Sequence, residues 1–135
     1  MSWIKPIPWF AIIDGANVEQ HIVSKQGRTT RINWESSLSG DIEIGQGVIV
    51  GINCTITSSV HGIAKGVAVT AQKTIHKKIV IGDDVFIGSG SVILGGNIIR
   101  SGAIIGAGSV LTEDHDVGEN EIWAGNPCKF LKYRT

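Results

Sequence analysis

The sequence predicts an all-β chain wound into a parallel β-helix of short coils, and three observations predict it. The chain holds 22 Ile and 12 Val against only 4 Leu in 135 residues. β-Branched side chains favour extended backbone, whereas Leu is a strong helix former. Glycine stands at 18 residues, close to twice its usual share of about 7%, and glycine serves turns. The third observation is a period of six. Steps of six from Ile32 reach Leu38, Ile44, Val50 and Ile56, and steps of six from Ile75 reach Ile81, Ile87, Ile93, Ile99, Ile105 and Leu111. An antiparallel sandwich would instead place turn signals about every 8–12 residues.

A six-residue unit is one short strand and one turn. Three units make a triangular coil, and successive coils stack about 4.8 Å apart by strand pairing. The periodic aliphatic points inward. The residue after it is often glycine, as at Gly45, Gly51, Gly82, Gly88 and Gly106. The residue four after it enters a tight corner and is small or slim, as at Cys54, Val85, Ser91, Asn97, Ala103 and Ser109.

One domain over residues 1–135 accounts for the whole chain, and its elements follow in order. Residues 1–30 show no clean hexads; Trp3, Trp9 and Phe10 there are expected to cap the first coil and cover its open edge. Residues 31–57 form the first run of coils. Residues 58–74 lose the pattern and are expected to project as a loop, the chain returning near Ile75. Residues 75–112 form the second run. Residues 113–135 are a C-terminal extension that opens on a polar turn and ends in Lys129, Lys132 and Arg134.

Charge and composition bound the function. Twelve Lys and Arg balance twelve Asp and Glu, which argues against a nucleic-acid binder or a polybasic membrane arm. No apolar run approaches the roughly 20 residues of a membrane span, and the start of the chain is a poor signal peptide. Cys54 and Cys128 make no disulfide framework and fit the cytoplasm. In the second run the residues before each inward aliphatic are Val80, Phe86, Val92, Ile98, Ile104 and Val110, all apolar. They face outward and stack in pairs on all three faces, so neighbouring subunits are expected to cover some of them; one face is a candidate to lie under the C-terminal segment. A cyclic trimer suits a triangular prism.

Three stretches carry a resemblance: Ile81-Gly-Asp-Asp-Val-Phe-Ile-Gly-Ser-Gly-Ser-Val-Ile-Leu, Ile105-Gly-Ala-Gly-Ser-Val-Leu-Thr and Ala124-Gly-Asn-Pro-Cys-Lys. They resemble the hexapeptide-repeat acyltransferases, in the branch of sugar O-acetyltransferases and xenobiotic acetyltransferases, over roughly residues 30–132. The resemblance implies a left-handed helix, a homotrimer with active sites between subunits, and acetyl-CoA as acyl donor. It also implies a carbohydrate hydroxyl as acceptor, in a sugar, nucleotide sugar or polysaccharide unit. Acetylation of an amino sugar nitrogen or of a xenobiotic is the alternative within the family. A non-catalytic β-helix scaffold is the alternative outside it. A scaffold has no need of a histidine at a loop root, a column of small residues and a basic tail together.

The segment from Ile44 to His61 is similar, without a gap, to the family segment that ends in the catalytic histidine. This implies that His61 is a general base, which requires a neutral imidazole. The group that orients His61 is left open among Glu43, Asn53 and Glu19. Ser89 and Ala107 lie one coil apart, as do Gly88 and Gly106, and this column leaves room for an extended pantetheine arm. By resemblance Ser89 also contacts the thioester end and helps stabilise the oxyanion. Ala107 and Thr112 match cofactor-contacting positions, and Lys129 and Lys132 match basic positions that pair with coenzyme A phosphates. Glu113 stands where the family often has lysine. Arg31 and Ser39 stand where sugar-specific members place acceptor-binding groups, which argues against simple galactosides or maltose. His76, beside Lys77 and Lys78, and His115, in an acidic turn, read as solvated; His21 gives no reading. Cys54 and Cys128 read as packing residues. No histidine spacing suits a metal.

Overall fold

A computed structural model describes residues 30–135 in full, together with the backbone of two earlier strands. The expected cap of Trp3, Trp9 and Phe10 lies outside the described residues, as do Glu19 and His21.

Three parallel sheets form the walls of a prism, and the chain visits them in rotation. The first face is built from β1 (Asn17–Val18), β4 (Ser37–Ser39), β7 (Thr55–Thr57), β12 (Val92–Ile93) and β15 (Val110–Leu111). The second holds β2 (Ile22–Ser24), β5 (Ile42–Ile44), β10 (Ile79–Ile81), β13 (Ile98–Ile99) and β16 (Asp116–Val117). The third holds β3 (Arg31–Ile32), β6 (Ile49–Val50), β11 (Phe86–Ile87), β14 (Ile104–Ile105), β17 (Glu121–Ala124) and β18 (Lys129–Tyr133). Within the helix all pairs are parallel; only β18 turns back on β17.

The periodic aliphatics are the core. Ile32, Leu38, Ile44, Val50, Ile56, Ile81, Ile87, Ile93, Ile99, Ile105 and Leu111 are all buried. Each sits directly over its counterpart in the next coil, as Ile87 over Ile105 and Ile93 over Leu111. Residue-level packing also explains the glycine after the aliphatic. A Cβ on Gly88 would lie 2.5 Å from the Ala107 nitrogen, and one on Gly51 the same distance from the Ser89 nitrogen. The coils approach too closely there for any side chain.

Corner residues are small because they point into the prism and must be paired there. Ser36 donates to the Gly51 carbonyl at 2.7 Å and accepts from the Cys54 N–H at 3.0 Å. Asn97 donates to the Leu94 and Thr112 carbonyls, each at 2.7 Å, and accepts from the His115 N–H at 2.9 Å. Among the described residues no buried side-chain polar atom is left without a partner, as a stable interior requires.

Ile75 departs from the expected inward column. It is 57% exposed and pairs with Val60 in an antiparallel hairpin of β8 (Ser59–His61) and β9 (Thr74–His76). Coils that flank the excursion pair residues 37 apart, as Ile44 with Ile81 and Ile56 with Ile93. The excursion therefore adds nineteen residues to one coil, and the core column resumes at Ile79 and Ile81. Early hexads are missing for a similar reason. Val18 pairs with Leu38 and Ser24 with Ile44, twenty residues apart instead of eighteen, so the period is broken although the coil is present.

The outward apolar residues stack in pairs on all three faces, Val80 with Ile98, Phe86 with Ile104 and Val92 with Val110, and the third face extends its pair into a longer row. On the third face Ile49, Phe86, Ile104 and Ile122 form one unbroken row in register. On the second, Val80 and Ile98 lie between Glu43 and Asp116. In the C-terminal segment, β18 pairs with β17 and extends the third sheet beyond it.

Candidate functional site

Two corners of the prism border the first face, and the expected site residues divide between them. One corner joins the third face to the first; the other joins the first to the second.

The former carries a vertical column. Ser89 follows β11 and Ala107 follows β14, both exposed, with the Gly108 N–H donating to the Ser89 carbonyl at 2.9 Å. Each coil turns here through a left-handed residue: Asn53, Gly90 and Gly108 have φ of 53°, 73° and 67°. The N–H groups of Gly88, Gly90, Gly106 and Gly108 are paired between coils. Those of Ser89 and Ala107 have no acceptor among the described residues. The Ser89 Oγ accepts from the Ile52 N–H at 3.1 Å, which leaves its own O–H free to donate. One coil further on, Ala124 stacks against Gly106 and pairs with Lys129, and Ile122 pairs with Lys132. The column thus runs from a free hydroxyl, past two free amides, to a basic end. Its unpaired donors and its basic end fit an extended amide-bearing chain with anionic groups at one end.

Thr112 is placed elsewhere. It follows β15 at the opposite corner, where its carbonyl accepts from Asn97 at 2.7 Å and from His115 Nδ1 at 3.0 Å. Glu113 lies 3.9 Å from Lys77, which also pairs with Asp114.

At this second corner the hairpin leaves the prism. His61 ends β8 and is exposed. Its Nδ1 lies 2.9 Å from the Gly62 carbonyl. A carbonyl only accepts, so Nδ1 donates, and in the neutral ring the lone pair is on Nε2. Among the described residues the hydrogen-bond partner of the His61 ring is the Gly62 carbonyl. Glu43 is bound to Lys78 at 3.1 Å, Asn53 lies at the other corner, and Glu19 is outside the described residues. Beyond the hairpin Gln72 staples the loop, accepting from the Ala64 N–H at 2.7 Å and donating to the Ala64 and Val67 carbonyls. Ile63, Val67 and Val69 are exposed along it.

The histidines read as solvated are both engaged. The His76 Nδ1 is 2.9 Å from the Ser58 Oγ. His115 is half-buried, with its ring edge-on to Trp123 at 5.7 Å between centroids. The Ser58–His76 pair was missed from the hexads because the pattern lapses at Ser58. Its signal was the spacing of Gly40, Ser58 and His76, eighteen residues each. Both cysteines are buried and unpaired. Burial pushes the Cys128 thiol up, a hydrogen bond with Ser109 opposing in part, so it is a poor nucleophile. Arg31 is exposed on the third face, and Ser39 donates to Thr57 Oγ1 at 3.1 Å. Among the described residues no group of three or more His, Cys, Asp or Glu could hold a metal ion, and no helix is long and apolar enough to cross a membrane.

Comparison with known proteins places this geometry. The profile of the bacterial transferase hexapeptide (six repeats) matches residues 78–113. A maltose O-acetyltransferase from Clostridium difficile 630 is 32% identical over 87% of this chain and 66% of its own, with a TM-score of 0.68. A hexapeptide-repeat acetyltransferase from Vibrio cholerae O1 biovar eltor, solved with acetyl coenzyme A, is 30% identical over 87% of this chain and 64% of its own, TM-score 0.77. A galactoside acetyltransferase in complex with coenzyme A is 26% identical over 98% of this chain and 62% of its own, TM-score 0.77. The chain thus spans just under two thirds of the length of each of these proteins. It is a member of the hexapeptide-repeat family.

Proposed function

We propose that this chain is an acetyl-CoA-dependent O-acetyltransferase acting on a carbohydrate hydroxyl. The observation that carries the reading is His61 at the end of β8, where the projecting loop begins, with Nδ1 donating to the Gly62 carbonyl and Nε2 left as the base. Acetyl-CoA occupies the column of Ser89 and Ala107, its phosphates toward Lys129 and Lys132. Thr112, whose match to the family is a cofactor-contacting position, lies at the hairpin corner and so would meet the cofactor held by a neighbouring subunit. The acceptor oxygen attacks the thioester carbonyl while its proton passes to His61 Nε2. The C–O bond forms, the C–S bond breaks, and His61 returns the proton to the coenzyme A thiolate. The Ser89 O–H donates to the oxyanion. Transfer is direct, so no nucleophilic cysteine is needed.

The two corners lie at opposite edges of the first face, which supports a site completed between subunits. The unbroken apolar row Ile49, Phe86, Ile104 and Ile122 supports the same assembly, a homotrimer of about 43 kDa, three times 14.4 kDa. The helix is left-handed and the protein cytoplasmic, in keeping with its two free thiols.

The test is acetyl transfer by His61→Ala, followed as release of free coenzyme A thiol over a panel of sugars and nucleotide sugars. kcat falls by roughly 10²–10⁴, the range for loss of a general base. Acetyl-CoA binding is unchanged, because the imidazole acts on the acceptor. Retention of more than about a tenth of wild-type kcat would remove His61 from the base role.

A further inference from the structure

The hairpin carries a second imidazole whose proton is fixed in the opposite sense. Ser58 is fully buried. Its Oγ accepts from the Asp41 N–H at 2.8 Å, and its remaining contact is His76 Nδ1 at 2.9 Å. A buried hydroxyl must donate somewhere, and His76 Nδ1 is its one acceptor among the described residues. His76 therefore holds its lone pair on Nδ1 and its proton on Nε2. The pocket is built around this pair. Gly40 has φ of 93°, and a Cβ there would collide with Ser58 Oγ and lie 2.8 Å from His76 Nδ1.

Both imidazoles share one side of the hairpin. Ser59 pairs with His76 and His61 with Thr74, so these four side chains alternate to the same face, while Val60 and Ile75 take the other. His61 and His76 are diagonal cross-strand neighbours, within mutual reach for long side chains. His76 is exposed apart from its bond to Ser58, and its Nε2 has no partner among the described residues. One ring offers a lone pair from Nε2; the other offers an N–H from Nε2.

We propose that His76 is an acceptor-binding residue that donates from Nε2 to an oxygen adjacent to the hydroxyl deprotonated by His61. This rests on the reading of His61 as base and narrows the acceptor to a polyol in which the acetylated hydroxyl neighbours a second hydroxyl or a ring oxygen. An acceptor with a single isolated hydroxyl or amine uses only half of the pair. Lys77 and Lys78, the adjacent cations, are held by Asp114 and Glu43, so neither replaces the His76 donor.

The experiment combines imidazole ¹⁵N NMR on the intact protein with kinetics over pyranosides, nucleotide sugars, simple alcohols and simple amines. In the neutral rings the spectra show the proton of His61 on Nδ1 and that of His76 on Nε2, and Ser58→Ala lets the His76 ring average between tautomers. His76→Ala raises the KM for the pyranoside or nucleotide-sugar acceptor about tenfold, the loss of one neutral hydrogen bond. The KM for acetyl-CoA stays unchanged, while the melting temperature falls because the buried Ser58 hydroxyl loses its acceptor. His76→Gln, whose amide NH₂ reaches toward the Nε2 position, recovers most of the loss. The proposal is overturned by a His76 proton on Nδ1, by an unchanged acceptor KM in His76→Ala, or by a panel in which only isolated alcohols or amines, or nothing, accept acetyl. An unchanged KM in His76→Ala beside an inactive His61→Ala overturns this proposal alone. An active His61→Ala overturns the base assignment instead.

Discussion

The two corners that border the first face are built by opposite rules. The column of Ser89 and Ala107 is made by the repeat: its glycines, its left-handed turns and its exposed amides recur with the coil. The hairpin of His61 and His76 is made by breaking the repeat, with nineteen residues inserted into one coil and held by Ser58, Gln72 and the Lys77 and Lys78 ion pairs. A periodic wall suits a ligand that is itself extended and invariant. An insertion is free to vary without disturbing the core, because the coils on either side still pair in register. Under the proposed function, the difference places donor and acceptor specificity in separate parts of the chain.

The comparison is broken most severely by separating the subunits. Phe86 is 43% exposed in the middle of the third-face row. Phe86→Asp is expected to convert the trimer to monomer in sedimentation and to reduce transfer by at least about 10², since burying an unpaired carboxylate in an interface is prohibitive. A trimeric Phe86→Asp variant would show that the row is not the interface. Ala107→Trp acts on the donor corner alone. It is expected to abolish the rise in melting temperature given by acetyl-CoA, while the fold, read by circular dichroism, is kept.

Smaller effects sharpen the contrast. Asn97 sits inside the prism at the corner that joins the first face to the second, and it satisfies two carbonyls and one N–H. Asn97→Ala is expected to cost about 2–4 kcal/mol in denaturant unfolding, since the partners left behind are buried. Lys129 and Lys132 are exposed, so their joint replacement by Ala should weaken coenzyme A only several-fold at physiological salt. The loss should be greater for coenzyme A than for dephospho-coenzyme A; equal losses would mean that these lysines do not read the 3′-phosphate.

How much was legible follows the same division. The core column was readable because a side chain pointing inward at every sixth residue leaves only aliphatics there; eleven of the twelve expected positions are buried, Ile75 being the exception. Ile75 failed because it is aliphatic and in phase by coincidence with a hairpin that the period cannot describe. Ser89 and Ala107 were placed together by spacing alone. The tautomers of His61 and His76 were not legible, because they are set by a backbone carbonyl and by a serine at the other foot of the same hairpin. Those contacts depend on where an aperiodic insertion folds back, and no repeat encodes that.

The central claim, that a donor corner of one subunit meets the hairpin of its neighbour, is tested most directly by mixing two inactive chains. His61→Ala keeps an intact donor column, and Ala107→Trp keeps an intact hairpin. Co-refolded at equal amounts, they should recover about a quarter of wild-type transfer, because in a closed cyclic trimer about one interface in four pairs the two intact halves. Activity no higher than that of the separate variants, in mixtures shown to contain mixed trimers, would contradict the account and place both halves of the site within a single chain.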